Sequence, residues 1–209
     1  MPDTDITMFS LFTMEEFATQ LLGKVFCSTH ADAESDSAAL TEASISHILC
    51  LGKRPKWLKQ VASTISKVYF DTPKRPVING RWIAKFSDIN CILTEAIAQG
   101  GAWIIGVPAT AKLITAAYVI STNNVSVTEA ISCSPEMTRI SIPEAFCIQL
   151  KLWKAMDGHL DSKFAPYTAF IEKESKLAIP KGGSRARFQP DIAAGCIKRI
   201  SSAQERYKG

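Results

Sequence analysis

Apolar residues recur at helical spacing along most of this chain. Phe17, Leu21, Leu22 and Val25 follow Thr13-Met-Glu-Glu16, a capping box in which Thr and Glu satisfy each other's backbone N–H groups, and the pattern predicts a helix over 13–26. Thr29 to Ser37 is polar and reads as a loop. Leu40, Ala43, Ile45, Ile48 and Leu49 predict a second helix that Gly52 ends, and Pro55 opens a third carrying Leu58, Val61, Ile65 and Val68 on one face. Ser87 is placed to cap a helix through Ile89, Ile92, Leu93, Ala96 and Ile97, terminated by Gly100-Gly101. Pro108 starts a helix running to Ile120, and Pro143 one that closes near Gly158. Two more are predicted near 164–176 and 191–203. Val125–Thr128 and Arg139–Ile142 alternate like short strands, but the runs are too brief to define a sheet. These elements predict a mainly α fold: a multi-helix globular core, divisible into two lobes around Gly100–Pro108 or Asn123–Pro143, with at most a small β element. The expected organisation is an acidic N-terminal arm at 1–30, a helical core at 31–177 and a basic loop and helix at 178–209.

The run from Gly100 to Ser121 is long enough to span a bilayer, but Pro108 interrupts it. Lys112 also falls near its middle, where a charge costs about 2.5–3.5 kcal/mol. It reads instead as a core helix. With 209 residues, 46% of them apolar, the chain can bury a core without disulfide or metal staples. Its six cysteines show no C-x-x-C spacing. The start, Met1-Pro-Asp-Thr-Asp, lacks the basic and apolar regions of a signal peptide, so free buried thiols and a cytoplasmic setting are expected. The sequon Asn124-Val-Ser126 then reads as chance.

Charge changes the picture most, because it is segregated. Residues 1–50 hold one cation against eight carboxylates, whereas 51–87 hold nine cations against the single carboxylate Asp71. Residues 88–172 hold five cations and eight carboxylates, and 173–209 return to nine and three. Two basic blocks and an acidic arm point to a polyanion partner.

In both blocks cations alternate with aromatic rings, the pairing that holds single-stranded nucleic acid by phosphate contact and base stacking. The candidate binding residues are Lys53, Arg54, Lys56, Lys59, Lys74, Arg75, Arg81 and Lys85 on one wall. Lys181, Arg185, Arg187, Lys198 and Arg199 form the other, and Trp57, Trp82 and Phe188 are the stacking rings. The segment Pro180-Lys-Gly-Gly-Ser-Arg-Ala-Arg-Phe-Gln-Pro190 lets backbone approach a ligand, but it lacks the GK[ST] order of a phosphate-binding P-loop. The competing reading of these residues is a solvated face with Trp57 and Trp82 as core anchors.

Two further constellations combine histidine with cysteine or carboxylate. Cys27-x-x-His30 and His47-x-x-Cys50 would present four zinc ligands if both lay on helices, although their apolar neighbours suit buried thiols. Asp157-Gly-His159-Leu-Asp161 puts two carboxylates around a histidine, with no nucleophile in a recognisable turn beside it.

The expectation from sequence is therefore a non-enzymatic, nucleic-acid-binding structural protein, nucleocapsid-like or coat-like. It would favour single-stranded RNA and self-assemble as a homo-oligomer through its N-terminal arm, without a cofactor or a metal. The alternatives are a matrix-type protein meeting anionic lipid or acidic protein, and a small enzyme whose pocket would converge on His159 or on the histidine and cysteine pairs.

Overall fold

The computed structural model describes residues 18–35, 44–52, 54–71 and 82–177, and its centre is a sheet. Five strands, β1 (Thr19–Leu22), β2 (Val25–Ser28), β3 (His47–Leu51), β4 (Ser66–Phe70) and β5 (Ala102–Ile105), lie in the order β1-β2-β5-β3-β4. β1 and β2 form an antiparallel hairpin, while β2, β5, β3 and β4 run parallel. This α/β architecture corrects the expected mainly α fold.

The physical reason lies in the strands themselves. β2, β3 and β5 are buried at every position, so they read as short continuous apolar runs in which helix and strand look alike. The helix predicted over 13–26 is, in its described part, the β1–β2 hairpin turning at Gly23-Lys24. The second predicted helix ends in β3. The third resolves into a single 3-10 turn at Trp57–Lys59 and the edge strand β4.

Helices cover both faces of the sheet. α1 (His30–Ser35) carries the chain from β2 over to β3. On that face Ala33, Trp57 and Leu58 pack with Phe26, Ile48, Cys50, Trp103 and Ile105. α2 (Phe86–Gln99) returns the chain from β4 to β5, and α3 (Pro108–Asn123) follows β5 directly. Residues of the opposite strand parity, among them Cys27, Leu49 and Ile104, face this second layer.

α3 is buried almost all round, as expected of a helix with apolar residues on every face. α2, α4 (Val127–Ile131) and α6 (Glu144–Ala155) pack around it. Trp153 Nε1 donates to Ala117 O at 3.1 Å and to Ser121 Oγ at 2.9 Å, and its ring meets Phe86 edge-on at 5.3 Å. Gly158 closes against the same point. Its φ is +71°, and a Cβ there would lie 2.8 Å from Ser121 Cα.

Lys112, the charge that argued against a membrane span, is 4% exposed and donates from Nζ to Ile140 O at 2.6 Å. Burial pushes its amine below the ordinary lysine range. Among the described residues no helix is long and apolar enough to cross a membrane.

Neither run read as a short strand is one: Val127 and Thr128 lie in α4, which opens on a capping box between Ser126 and Glu129, and Arg139 ends α5 (Pro135–Arg139), capped by Ser134, while 140–142 are irregular. α7 spans Ala165–Leu177, as its spacing predicted. By backbone contacts residues 1–167 form one unit, and a second begins at Thr168. The helix predicted near 191–203 lies outside the described residues.

Candidate functional site

In open α/β sheets ligands bind outside the carboxyl ends of the parallel strands, where loops and helix N-termini converge. Here the strands end at Ser28, Ile105, Leu51 and Phe70. Neighbouring strands are about 4.8 Å apart, so the four ends make an edge roughly 15 Å long.

Two residues, Gly106 and Val107, join β5 to the 16-residue helix α3 at the middle of that edge. Gly106 N donates to Ser28 O at 3.0 Å, which draws the connection down onto β2. Glycine is required by this approach, since a Cβ would stand 2.9 Å from Leu51 Cβ. Val107 is the N-cap of α3, and its carbonyl accepts from Thr110 N at 2.9 Å and Ala111 N at 3.1 Å.

Around the connection stand polar groups from the ends of β2 and β3. Ser28 is 6% exposed and its hydroxyl has no hydrogen-bond partner. His30 Nε2 lies 3.3 Å from Leu51 O, bridging the exits of β2 and β3. Thr29 Oγ1 donates to Asp32 Oδ2 at 2.6 Å and so holds the first turn of α1.

Two cations mark the β3 and β4 side. Arg54 lies over the Tyr69 ring at 4.2 Å from its centroid. Lys85 Nζ donates to Asp71 O at 3.0 Å while lying 5.8 Å from the Phe70 centroid and 5.6 Å from that of Trp82. Burial pushes Lys85 below the usual lysine range, and Asp71 and Asp88 pull it back up. Arg54 and Lys85 are thus held in place by rings rather than swinging freely in solvent.

Of the predicted nucleic-acid residues, only Arg54 and Lys85 reach this edge by these contacts. Trp57 and Trp82 are 8% and 4% exposed, so their faces are closed to a base. Lys56 precedes the 3-10 turn and Lys59 ends it, both as exposed charges. Lys53, Lys74, Arg75, Arg81, Lys181, Arg185, Arg187, Phe188, Lys198 and Arg199 lie outside the described residues.

The histidine and cysteine pairs do not converge. Because β3 is a strand, His47 and Cys50 point to opposite faces, and Cys27 and Cys50 lie in neighbouring rows of the sheet that also face opposite ways. Among the described residues no group of three potential ligands could hold a metal. Burial pushes the Cys27 thiol up to about 12 and the Cys50 thiol up to about 11, which leaves both inert as nucleophiles. His159 is exposed, with Nδ1 2.8 Å from Asp157 O. A cavity of about 540 Å³ lies elsewhere, walled by residues 18–23, Ser134–Glu136 and Arg139.

The architecture recurs in solved structures. The human tyrosine phosphatase-like serine/threonine/tyrosine-interacting protein matches with a TM-score of 0.57 at 18% identity, covering 66% of this chain and 96% of that one. The phosphatase domain of Yvh1 from Chaetomium thermophilum matches at 0.55 and 18%, covering 69% and 99%. DUSP15 matches at 0.54 and 15%, covering 78% and 97%. No family model matches the sequence, and no curated protein matches it.

At these identities the likeness is one of fold. It overturns the expectation of a non-enzymatic, nucleocapsid-like RNA-binding protein, because the described chain folds as proteins named phosphatases do. Of the three rings expected to stack on bases, Trp57 and Trp82 belong to the core, and the cations Arg54 and Lys85 rest on aromatic faces of this same protein. What sequence reasoning missed was the turn at Gly106. Its signal was present as an apolar run closed by glycine and followed two residues later by a proline that opens a helix.

Proposed function

We propose that this chain takes phosphate monoesters as its ligands, at the carboxyl edge of its parallel strands. The observation that carries the reading is the placement of Lys85 at the exit of β4, donating to Asp71 O and held over the Phe70 and Trp82 rings, with Arg54 over Tyr69 of the same strand. A phosphate at that end of the edge would meet the Lys85 ammonium. Lys85 would neutralise its charge, and the rings beside it fix its direction.

A second reading, hydrolysis of the bound ester, is favoured by the phosphatase names of the neighbours and by Asp71 at the end of β4. Gly106 and Val107 bring no side chain able to attack phosphorus, so the nucleophile in this reading is water. Its oxygen bonds to phosphorus as the ester P–O bond breaks, the Asp71 carboxyl passes a proton to the leaving oxygen, and the attacking water restores it. The products are inorganic phosphate and an alcohol.

One titration tests both. Phenyl phosphate added to isotopically labelled protein is expected to shift the amide signals of Gly52, Asp71, Gly106 and Val107 with saturation. Signals that move only around the β1 cavity, or not at all, would sink the proposal. Phosphorus spectra of the same samples report hydrolysis: inorganic phosphate that appears with wild type and fails to appear with Asp71→Asn supports the second reading.

A further inference from the structure

We infer that two copies of this chain pair through the outward face of α6, antiparallel and about a two-fold axis beside Ile148. The pairing stands apart from the phosphate site and uses none of its residues.

α6 presents apolar residues on two sides. Phe146, Leu150 and Trp153 are buried against the core, as the apolar stripe of a surface helix should be. Ala145, Ile148, Leu152 and Ala155 lie on the other side, half-buried or exposed. At 3.6 residues per turn Ile148 points about 160° away from both Phe146 and Leu150, so packing against the core does not account for it. It is 41% exposed, and of the three large exposed hydrophobic residues among those described it is the one within a helix: Val107, at 64%, precedes α3 and Leu160, at 37%, follows α6. The four outward residues are spaced by three, four and three positions, the spacing at which one helix offers a seam to another.

Charge selects the partner. Glu144 and Lys151 flank this seam on one side, each immediately before Ala145 or Leu152, and both are exposed. Among the described residues neither makes an ion pair. A two-fold axis between antiparallel helices brings this flank of one copy against the same flank of the other, running in the opposite direction. Glu144 of each copy then meets Lys151 of the other, Ala145 meets Leu152, and Ile148 meets its own counterpart near the axis. A parallel pair would set the flank against Gln149 and Met156, which are buried and carry no charge. The surface is therefore complementary to itself in one direction only. With 12 residues the seam is about 18 Å long, small for a stable interface, so the dimer is weak.

Sedimentation of the full chain over a range of concentrations tests this. Wild type is expected to pass from monomer to dimer with a midpoint of roughly 0.1 mM, and Ile148→Asp to remain monomeric. Glu144→Lys and Lys151→Glu should each weaken the dimer about tenfold, because two attractive pairs become repulsive, and the double variant should regain wild-type affinity. The charge swap reads the pairing without touching Ile148. Wild type that stays monomeric up to about ten times the expected midpoint, a dimer indifferent to Ile148→Asp, or a double variant no better than the single ones overturns the inference. Monomeric wild type whose thermal midpoint falls in Ile148→Asp assigns the face to another segment of the same chain, which overturns it too.

Discussion

The ammonium group of Lys85 donates to the main-chain carbonyl of Asp71 across 3.0 Å, tying the segment that enters α2 to the residue that leaves β4. The bond places a cation at the carboxyl edge and directs it with the rings of Phe70 and Trp82. Replacing Lys85 by Gln keeps a donor for the carbonyl but removes the charge. Charge-assisted contacts contribute about 1.5–3 kcal/mol, so Lys85→Gln should weaken phenyl phosphate binding roughly tenfold or more. Calorimetric titration of both proteins checks this.

Val107→Ser should stabilise the fold. A serine N-cap supplies an acceptor that valine lacks and is worth about 1 kcal/mol. For a chain of this size that raises the thermal midpoint by about 2–4 °C. A lower midpoint in Val107→Ser would show that valine packs in a way its exposure does not reveal.

Gly106→Ala acts in the other direction. The new methyl would stand 2.9 Å from Leu51 Cβ and 3.3 Å from Leu51 O, and relieving the clash requires the β5–α3 connection to lift. Overpacking of this kind costs about 1–3 kcal/mol. Denaturant melts should show that loss, with weakened phosphate binding beside it.

Thiol chemistry supplies a pH test. The pKa values of Cys27 and Cys50 are raised from 9.0 to about 12 and about 11 in the folded chain. Below the unfolded value both states hold these protons and the thiols do not affect stability. As pH rises past 9 the unfolded chain releases them and the folded chain does not, so stability falls up to pH 11 for Cys50 and 12 for Cys27. Each thiol contributes a slope of up to about 1.4 kcal/mol per pH unit in that window. Urea melts above pH 9 should fall more steeply for wild type than for the Cys27→Ala, Cys50→Ala double variant.

How much of this was legible in the sequence depends on element length. α2, α3 and α6 are 14, 16 and 12 residues long, and their apolar spacing together with Pro108, Pro143 and Gly100 marked them closely. β2 and β5 are four residues each, buried throughout, with no alternation to set them apart from a helix turn. The capping box at Ser126 was readable as S-x-x-E, but the alternation of Val125, Ser126, Val127 and Thr128 suggested a strand. The site was less legible still. Arg54 and Lys85 were picked out for charge, yet their meaning depends on Tyr69, Phe70 and Trp82 meeting them through the sheet, and Val107 drew no notice because exposure is invisible in a pattern of residue types.

The central claim is that the carboxyl edge of the parallel strands is a phosphate-ester site, and the phenyl phosphate titration followed by amide chemical shifts tests it most directly. The account predicts saturable shifts confined to Ser28, Gly52, Asp71, Gly106 and Val107 and their neighbours, weakened in Lys85→Gln. Absence of saturable shifts at these positions, with the protein folded, would contradict it.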